Sequence, residues 1–421
     1  MSSMPAFTRT ANTPCEVLLV AGIDTHKLTH HVAVLDHLGR CVADRQFDTT
    51  EAGYAELVRF LRAHGPVDRV GVEGTGSYGA GIARVLSTAG FVVVEVVRQN
   101  RQARRLHGKS DPIDARQAAL SVLAGADNAV PKSGVGQVES LRILMSERRS
   151  AVKAKTQGIN QIHALLVTAP DTVRAAYRGL SGDKLVTTLA RSRPATSGTD
   201  PAQIARQTLK RLATRCLGLQ EEMATIDGQL EALVRSVNPH LLSLNGIGPI
   251  TAATLLSAAG DNPERLASKA AFAALTGVAP IPASSGQRVR HRLSRGGNRH
   301  ANSALHRIVL LRMRHREPRT VAYIARRRAE GLTDRDIMRC LKRHVANEVY
   351  AALLNPTAED PTGPRVRTAR EQLGIPISVL AATLEVPYQR LRRLEIGTRV
   401  DPDLEQRAIA LLAQIDRRTA A

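Results

Sequence analysis

Four carboxylates, Asp24, Glu73, Asp111 and Asp114, follow one another along the chain in an order that would suit metal-dependent phosphoryl transfer. Asp24 closes the apolar run Val17-Leu18-Leu19-Val20-Ala21-Gly22-Ile23, and Glu73 closes Arg69-Val70-Gly71-Val72. Both runs read as buried strands with an acid at the carboxyl end. The last two acids lie in Lys109-Ser110-Asp111-Pro112-Ile113-Asp114-Ala115-Arg116. There the proline suits a helix's first turn, and three-residue spacing puts both carboxylates on one face. Hard cations such as Mg2+ want several oxygen ligands, with Mn2+ as an alternative ion. Two such ions about 3.5–4 Å apart can clamp the attacking and leaving oxygens of a phosphate. Taken singly, each acid is ordinary, since strand-end acids commonly cap turns and D-P-x-D is a favourable helix start. Their succession carries the signal.

The elements between the acids support that reading. Two short strand-like runs, His31 to Leu35 and Arg40 to Phe47, follow Asp24. Thr50 to Ala63 reads as a helix capped by Thr50, with Tyr54, Leu57, Val58 and Leu61 at helical spacing. The Glu73 strand, a helix to about Ala89, and the strand Phe91 to Val97 complete the pattern. A three-strand meander followed by alternating helices and strands fits the ribonuclease H-like order. Near-continuous apolar runs in the later strands suit a sheet covered on both faces.

Charge points to the partner. The 421 residues include 59 Lys and Arg against 38 Asp and Glu, a net charge of +21, with a pI of about 10.8. Such a surplus is the footprint of phosphate-backbone binding. It is concentrated: residues 286–350 hold 17 Lys and Arg and 5 Asp and Glu. Aromatics are only 3% of residues and Trp is absent, which argues against single-strand binding by stacked rings. Duplex DNA or structured RNA gripped by its backbone is the expectation. The four cysteines, Cys15, Cys41, Cys216 and Cys340, lack zinc-site spacing and read as reduced thiols of a cytoplasmic protein. No signal peptide or membrane-spanning stretch is evident. Residues 1–15 read as a disordered leader.

Beyond residue 131 the chain becomes long polar helices. Val138, Leu141, Leu144 and Met145 recur at helical spacing, as do Ile159, Ile162, Leu165 and Leu166, and a second pattern runs from Ile204 to Leu233. The loop Ser192 to Pro201 separates them. The pair fits either an antiparallel or intermolecular coiled coil, or ordinary bundle packing within one chain. Next, Leu244-Asn245-Gly246-Ile247-Gly248-Pro249 resembles a helix-hairpin-helix turn, which offers backbone amides to a phosphate at a helix N-terminus. Gly246 and Gly248 would supply positive φ and close backbone approach. Then comes Gly277-Val278-Ala279-Pro280-Ile281-Pro282-Ala283-Ser284-Ser285-Gly286, with Arg288, Arg290, His291, Arg292 and Arg295 close behind. A Ser-Ser-Gly loop is commonly just a turn. A serine hydroxyl needs help to act as a nucleophile, and guanidinium groups would stabilise charge developing on a phosphate. From the residues alone, the reading reaches metal-dependent phosphoryl transfer on nucleic acid, with a serine as candidate nucleophile.

Jointly and in order, G-I-D-T-H-K at Asp24, E-G-T-G-S-Y at Glu73, K-S-D-P-I-D-A-R, the Gly246-Ile247-Gly248 stretch, G-V-A-P-I-P-A-S-S-G and S-R-G-G-N-R-H resemble the insertion-sequence 110 group of transposases over roughly residues 16–355. The resemblance implies a RuvC-like DEDD tetrad at Asp24, Glu73, Asp111 and Asp114, binding Mg2+. It implies a catalytic serine directly before a glycine. Ser284 is adjacent and chemically identical, but the place before Gly286 selects Ser285. It further implies recombination of double-stranded DNA at element ends and target through a covalent serine–DNA intermediate. A structured guide RNA would pair with both DNAs, and a homo-oligomer, dimer or tetramer, would join one subunit's acids to another's serine in a bacterial, nucleoid-associated protein. The implied organisation is an α/β ribonuclease H-like (RuvC-like) domain at 16–130, a helical coiled-coil spacer at 131–238, and a mostly α transposase domain at 239–355. A linker at 356–365 leads to a small all-α tail.

That tail, residues 366–415, resembles a phage-repressor helix-turn-helix. Ser378 to Leu384 would be the first helix of the motif, and Pro387 to Glu395 the recognition helix presenting Tyr388, Gln389, Arg390 and Arg393 to a groove. A small helical cap or dimerisation appendage is the plainer reading. Two other functions stay open: a Holliday-junction-type metal-dependent nuclease using acids and water, and a non-enzymatic DNA-binding regulator.

Overall fold

The computed structural model describes residues 18–96, 110–125, 129–195, 197–284, 291–294, 296–356, 362–395 and 401–419. The chain divides into two compact units, 1–134 and 135–421.

The first unit is built on a five-stranded sheet. Its strands are β1 (Leu19–Thr25), β2 (Thr29–Leu35), β3 (Cys41–Asp48), β4 (Val67–Glu73) and β5 (Val93–Val96), in the order β3-β2-β1-β4-β5. The first three form the expected antiparallel meander, while β4 runs parallel to β1 and β5 parallel to β4. Helices α1 (Glu51–Ala63) and α2 (Ala80–Thr88) cover one face through Leu57, Leu61, Ile82 and Leu86. Thr50 caps α1, its side chain accepting from Gly53 N at 3.1 Å. Helix α3 (Asp111–Leu123) covers the other face through Ala118, Ala119 and Val122. The central strand β1 is therefore buried almost throughout, whereas the edge strand β3 is largely exposed, which accounts for the continuous apolar run in one and the polar alternation in the other.

Small residues set the distance between α3 and the sheet. A Cβ on Gly22 would lie 2.1 Å from Ala119 N and 2.3 Å from Ala115 O, and one on Gly71 would lie 2.4 Å from Val122 Cγ2. Glycine at 22 lets the α3 backbone come so close, and glycine at 71 makes room for the Val122 side chain. Alternation then places Asp24 on the same face as Gly22, toward the start of α3.

The second unit begins with α4 (Gln137–Thr168), which pairs antiparallel with α7 (Pro201–Val237) within one chain. Cross-links fix the register: Ser236 to Gln137 (3.2 Å), Lys155 to Gln220 (3.0 Å), Arg215 to Gln161 (3.2 Å), and an ion pair between Arg148 and Asp227. Between them lie α5 (Asp171–Ala176) and α6 (Gly182–Arg191), two helices in addition to those expected; Leu185, Val186 and Leu189 pack with Ile162, Ala205 and Leu209. A larger core joins α8 (Pro239–Ser243), α9 (Pro249–Ala259), α10 (Lys269–Leu275), α11 (Arg299–Arg314), α12 (Pro318–Ala329) and α13 (Asp334–Leu354). Two short strands, β6 (Ile281–Pro282) and β7 (His291–Arg292), pair antiparallel between α10 and α11. The last helices, α14 (Thr362–Gln372), α15 (Ile377–Thr383), α16 (Tyr388–Glu395) and α17 (Pro402–Thr419), close on a separate core that includes Leu380, Leu384, Leu391, Leu394 and Leu404. Among the described residues no helix is long and apolar enough to cross a membrane.

Candidate functional site

The carboxyl end of β1 gathers the acids. Ile23 pairs with Val72 in the parallel register, so Asp24 and Glu73 end neighbouring strands, and the Thr25 hydroxyl donates to the Glu73 carbonyl at 2.9 Å. The close approach of α3 brings Asp111 and Asp114, both in its first turn, to the same end. Carboxylates there also meet the positive end of the helix dipole. Asp24 and Asp114 are buried, 6% and 2% exposed.

His26 completes the cluster. Its Nε2 lies 3.2 Å from Asp24 Oδ2 and 3.2 Å from Asp111 Oδ1, and ligand atoms of the three residues all lie within 4.8 Å of one another. Two residues beyond Asp24, it continues the same alternation, and its backbone N–H donates to Thr29 O at 3.0 Å. The motif G-I-D-T-H-K contained this residue, but its part in the cluster went unread. Neither Glu73 nor Asp114 belongs to that tight group.

The electrostatics favour a cation. Burial pushes the Asp24 carboxyl above its ordinary value; His26 opposes this, whereas Asp114 and Asp111 add to it. Its buried Oδ2 has no hydrogen-bond partner, the His26 ring nitrogen standing 3.2 Å away without hydrogen-bond geometry. A desolvated carboxylate oxygen beside two more carboxylates is costly until a positive charge arrives. The donor set, carboxylate oxygens and one imidazole nitrogen, fits a divalent metal ion; the nitrogen suits Mn2+ better than Mg2+.

Sequence-predicted residues of the second unit divide into two groups. Ser285, Arg288, Arg290 and Arg295 lie outside the described residues. Ser284 and Arg292 are described, both exposed, on either side of the interval between β6 and β7. Gly246 takes φ +81°, as the turn requires, and a Cβ there would meet Ile308 O at 3.2 Å. Gly248 departs from the expectation of positive φ: it is the extended N-cap of α9 at φ −100°, with open space where a Cβ would stand. Its use is at the helix start, not in a left-handed turn. Arg312, nearly buried, donates to Asn245 O at 2.8 Å and pairs with Glu348 at 2.8 Å, bracing this turn. The first turns of α9 border a groove of about 280 Å3 whose lining includes Arg148, Arg149, Lys153, His300 and Arg307.

In the tail, α15 and α16 coincide closely with the two helices expected, and Tyr388, Gln389 and Arg393 are exposed. Arg390 is partly engaged inside the tail, its Nε and Nη2 each 2.9 Å from Asp401 Oδ2. Arg370 and Glu395 form a buried pair at 2.7 Å. Cys41, Cys216 and Cys340 are free thiols.

Comparison with known proteins places these features in sequence context. Residues 21–169, which hold all four acids, match a transposase family model, and residues 238–325 match the transposase IS116/IS110/IS902 family. The chain is 24% identical over 389 residues to the 42 kDa protein of insertion element IS900 of Mycobacterium paratuberculosis, covering 81% of this chain and 97% of that one. It is 30% identical over 149 residues to the 43.6 kDa protein of insertion element IS110 of Streptomyces coelicolor, covering 35% and 36%. The tail lies outside both family matches.

Proposed function

The chain belongs to the IS110 family of transposases, and from that premise we propose that it cuts and rejoins double-stranded DNA with a metal held at Asp24, His26, Asp111, Asp114 and Glu73 and with Ser285 as nucleophile. The observation that carries this reading is the Asp24–His26–Asp111 cluster at the end of β1, where one buried carboxylate oxygen lacks a hydrogen bond. The strand order β3-β2-β1-β4-β5 supports a RuvC-like fold for the unit that holds it. A divalent ion bound there would supply Lewis-acid stabilisation of charge on a phosphate oxygen.

The chain's own residues do the rest. Asp24 and Asp111 would be the central ligands, Asp114 and Glu73 would complete the acidic set at the same strand end, and His26 would ligate directly or orient Asp24 and Asp111. The Ser285 Oγ attacks phosphorus and gives up its proton, the bond from phosphorus to a sugar oxygen breaks, and the released sugar hydroxyl takes a proton. Attack by a sugar hydroxyl of another strand reverses the step and rejoins DNA. Arg288, Arg290, Arg292 and Arg295 neutralise the phosphate, while the α9 groove and Gly246–Gly248 grip backbone. A structured RNA would direct sequence choice by pairing with DNA, in a homo-oligomer, and the tail would add a helix-turn-helix DNA contact through Arg393 and, less freely, Arg390.

Incubation with Mg2+ and DNA carrying the element ends, followed by protease treatment, tests this. Protein-linked DNA is expected. Free nicked ends would replace the serine step by metal-assisted hydrolysis, and unchanged DNA would leave a binding protein only.

A further inference from the structure

The second unit contains a buried cation that the reaction above does not use. Lys342 on α13 is 9% exposed, and its Nζ donates to Asn302 Oδ1 on α11 at 2.6 Å. The Asn302 amide nitrogen donates to the carbonyls of Thr276 (2.8 Å) and Gly277 (3.1 Å), so its oxygen is fixed toward the ammonium. Thr276 and Gly277 form the turn from which the chain departs toward β6. On the return side, Gly297 packs so tightly on that turn that a Cβ would lie 2.2 Å from Gly277 N, and Asn298 N donates to Leu275 O at 2.6 Å. Lys342 is thus tied to the base of the β6–β7 hairpin, whose intervening sequence contains Ser284 and Ser285.

One neutral amide oxygen satisfies one N–H but leaves the charge. Among the described residues no carboxylate lies within ion-pair distance of Lys342 Nζ, and burial, reinforced by Arg339, holds the ammonium below the ordinary lysine value. Lys342 lines a cleft of about 500 Å3 together with His291, Arg292, Arg339, Arg343 and His344. Among the described residues of that lining the one acid, Asp336, is engaged by Arg339 at 3.0 Å. Arg343 Nη1 is buried without a hydrogen-bond partner. A desolvated ammonium bordering this cleft, where the acid is already taken, is stabilised by an anion entering it, and Arg343 in the same lining adds positive charge. A phosphate oxygen accepts from the Lys342 ammonium.

We propose that this cleft binds a DNA phosphodiester and that Lys342 positions it at the base of the serine hairpin. The choice of DNA over RNA rests on the reading of that hairpin as the DNA-cleaving element.

The test is a salt titration of full-length Lys342→Met and Arg343→Met binding to a fluorescent duplex carrying the element-end junction. Each variant should bind about tenfold more weakly, and its log K against log salt slope should lose about one unit, the signature of one phosphate contact. Without DNA, the Tm of Lys342→Met should not fall, because methionine fills similar space without a buried charge. A residue with a purely structural role would do the reverse, lowering Tm and leaving the slope unchanged. An unchanged slope in both folded variants overturns the proposal, and so does a slope change confined to a transcript of the element's flanking region used as RNA probe. The serine reading is scored apart, by wild-type adduct formation. A slope loss without adduct removes the serine and keeps the cleft; an adduct without slope loss removes the cleft and keeps the serine.

Discussion

Asp24 in the first unit and Lys342 in the second are mirror cases of one electrostatic situation. Both are almost buried, both neighbour groups of their own sign, and neither has a full counter-charge from its surroundings. Burial pushes the carboxyl up and the ammonium down, each toward its neutral form. Such groups cost stability unless paired, so their presence reads as preparation for ligands of opposite charge. The difference lies in how each is held. Asp24 is fixed by a sheet and a helix in backbone contact at Gly22. Lys342 is held by one amide, Asn302, which ties it to the Thr276–Gly277 turn.

The largest effect that would break this comparison is at the acids. Asp24→Ala or Asp111→Ala should reduce recombination by about 10³-fold or more, the several kcal/mol that a bound cation contributes to a phosphoryl transition state. The fold should survive, and in chelator the Tm of Asp24→Ala should equal or exceed wild type, since a desolvated, like-charged carboxylate is gone. Full activity of both variants in Mg2+ would remove the metal-site assignment.

A second variant separates the position of the acids from their charge. Gly22→Ala keeps every carboxylate but puts a methyl where Ala119 N and Ala115 O already stand. Displacing α3 should cost roughly 1–3 kcal/mol of stability and loosen the cluster, weakening Mn2+ binding in calorimetric titration about as much as loss of a supporting partner does, roughly 10–100-fold. Native Mn2+ affinity in a folded Gly22→Ala protein would show that the close approach is irrelevant to the site.

The smallest of the three effects is one of ion preference. His26→Ala should weaken Mn2+ binding more than Mg2+ binding, because a nitrogen donor favours the transition metal. Parallel titrations with both ions read the ratio, and equal losses would make His26 an orienting residue only.

The acid order and its meander were legible because strands of period two and apolar runs encode both the sheet and where each strand ends. Asp24, Glu73 and the Asp111–Asp114 pair could be placed on strand ends and a helix start with no tertiary information. His26 follows the strand, and only extending the Gly22–Asp24 alternation by two residues would have pointed to it. Gly22 itself looks like any strand glycine until the α3 backbone is known to touch it. Helix α5 has one buried apolar residue, Val173, too few to show a period, whereas α6 carries Leu185, Val186 and Leu189 at helical spacing and was legible there. Gly248 was assigned the conformational role that Gly246 holds, although a glycine before Pro249 serves equally as an extended helix cap. Lys342 was invisible for a different reason: among the 17 Lys and Arg of residues 286–350, nothing in the sequence marks the one whose charge is buried.

Mass spectrometry of the protease-resistant, DNA-linked peptide bears most directly on the claim that a serine of the β6–β7 hairpin attacks DNA with help from the acid cluster. Wild-type protein with Mg2+ and element-end DNA should yield one modified residue, Ser285, while Ser284→Ala keeps measurable adduct and Ser285→Ala or Asp24→Ala gives none. A modification on Ser284, on a tyrosine, or on no residue while DNA is cut would contradict the account.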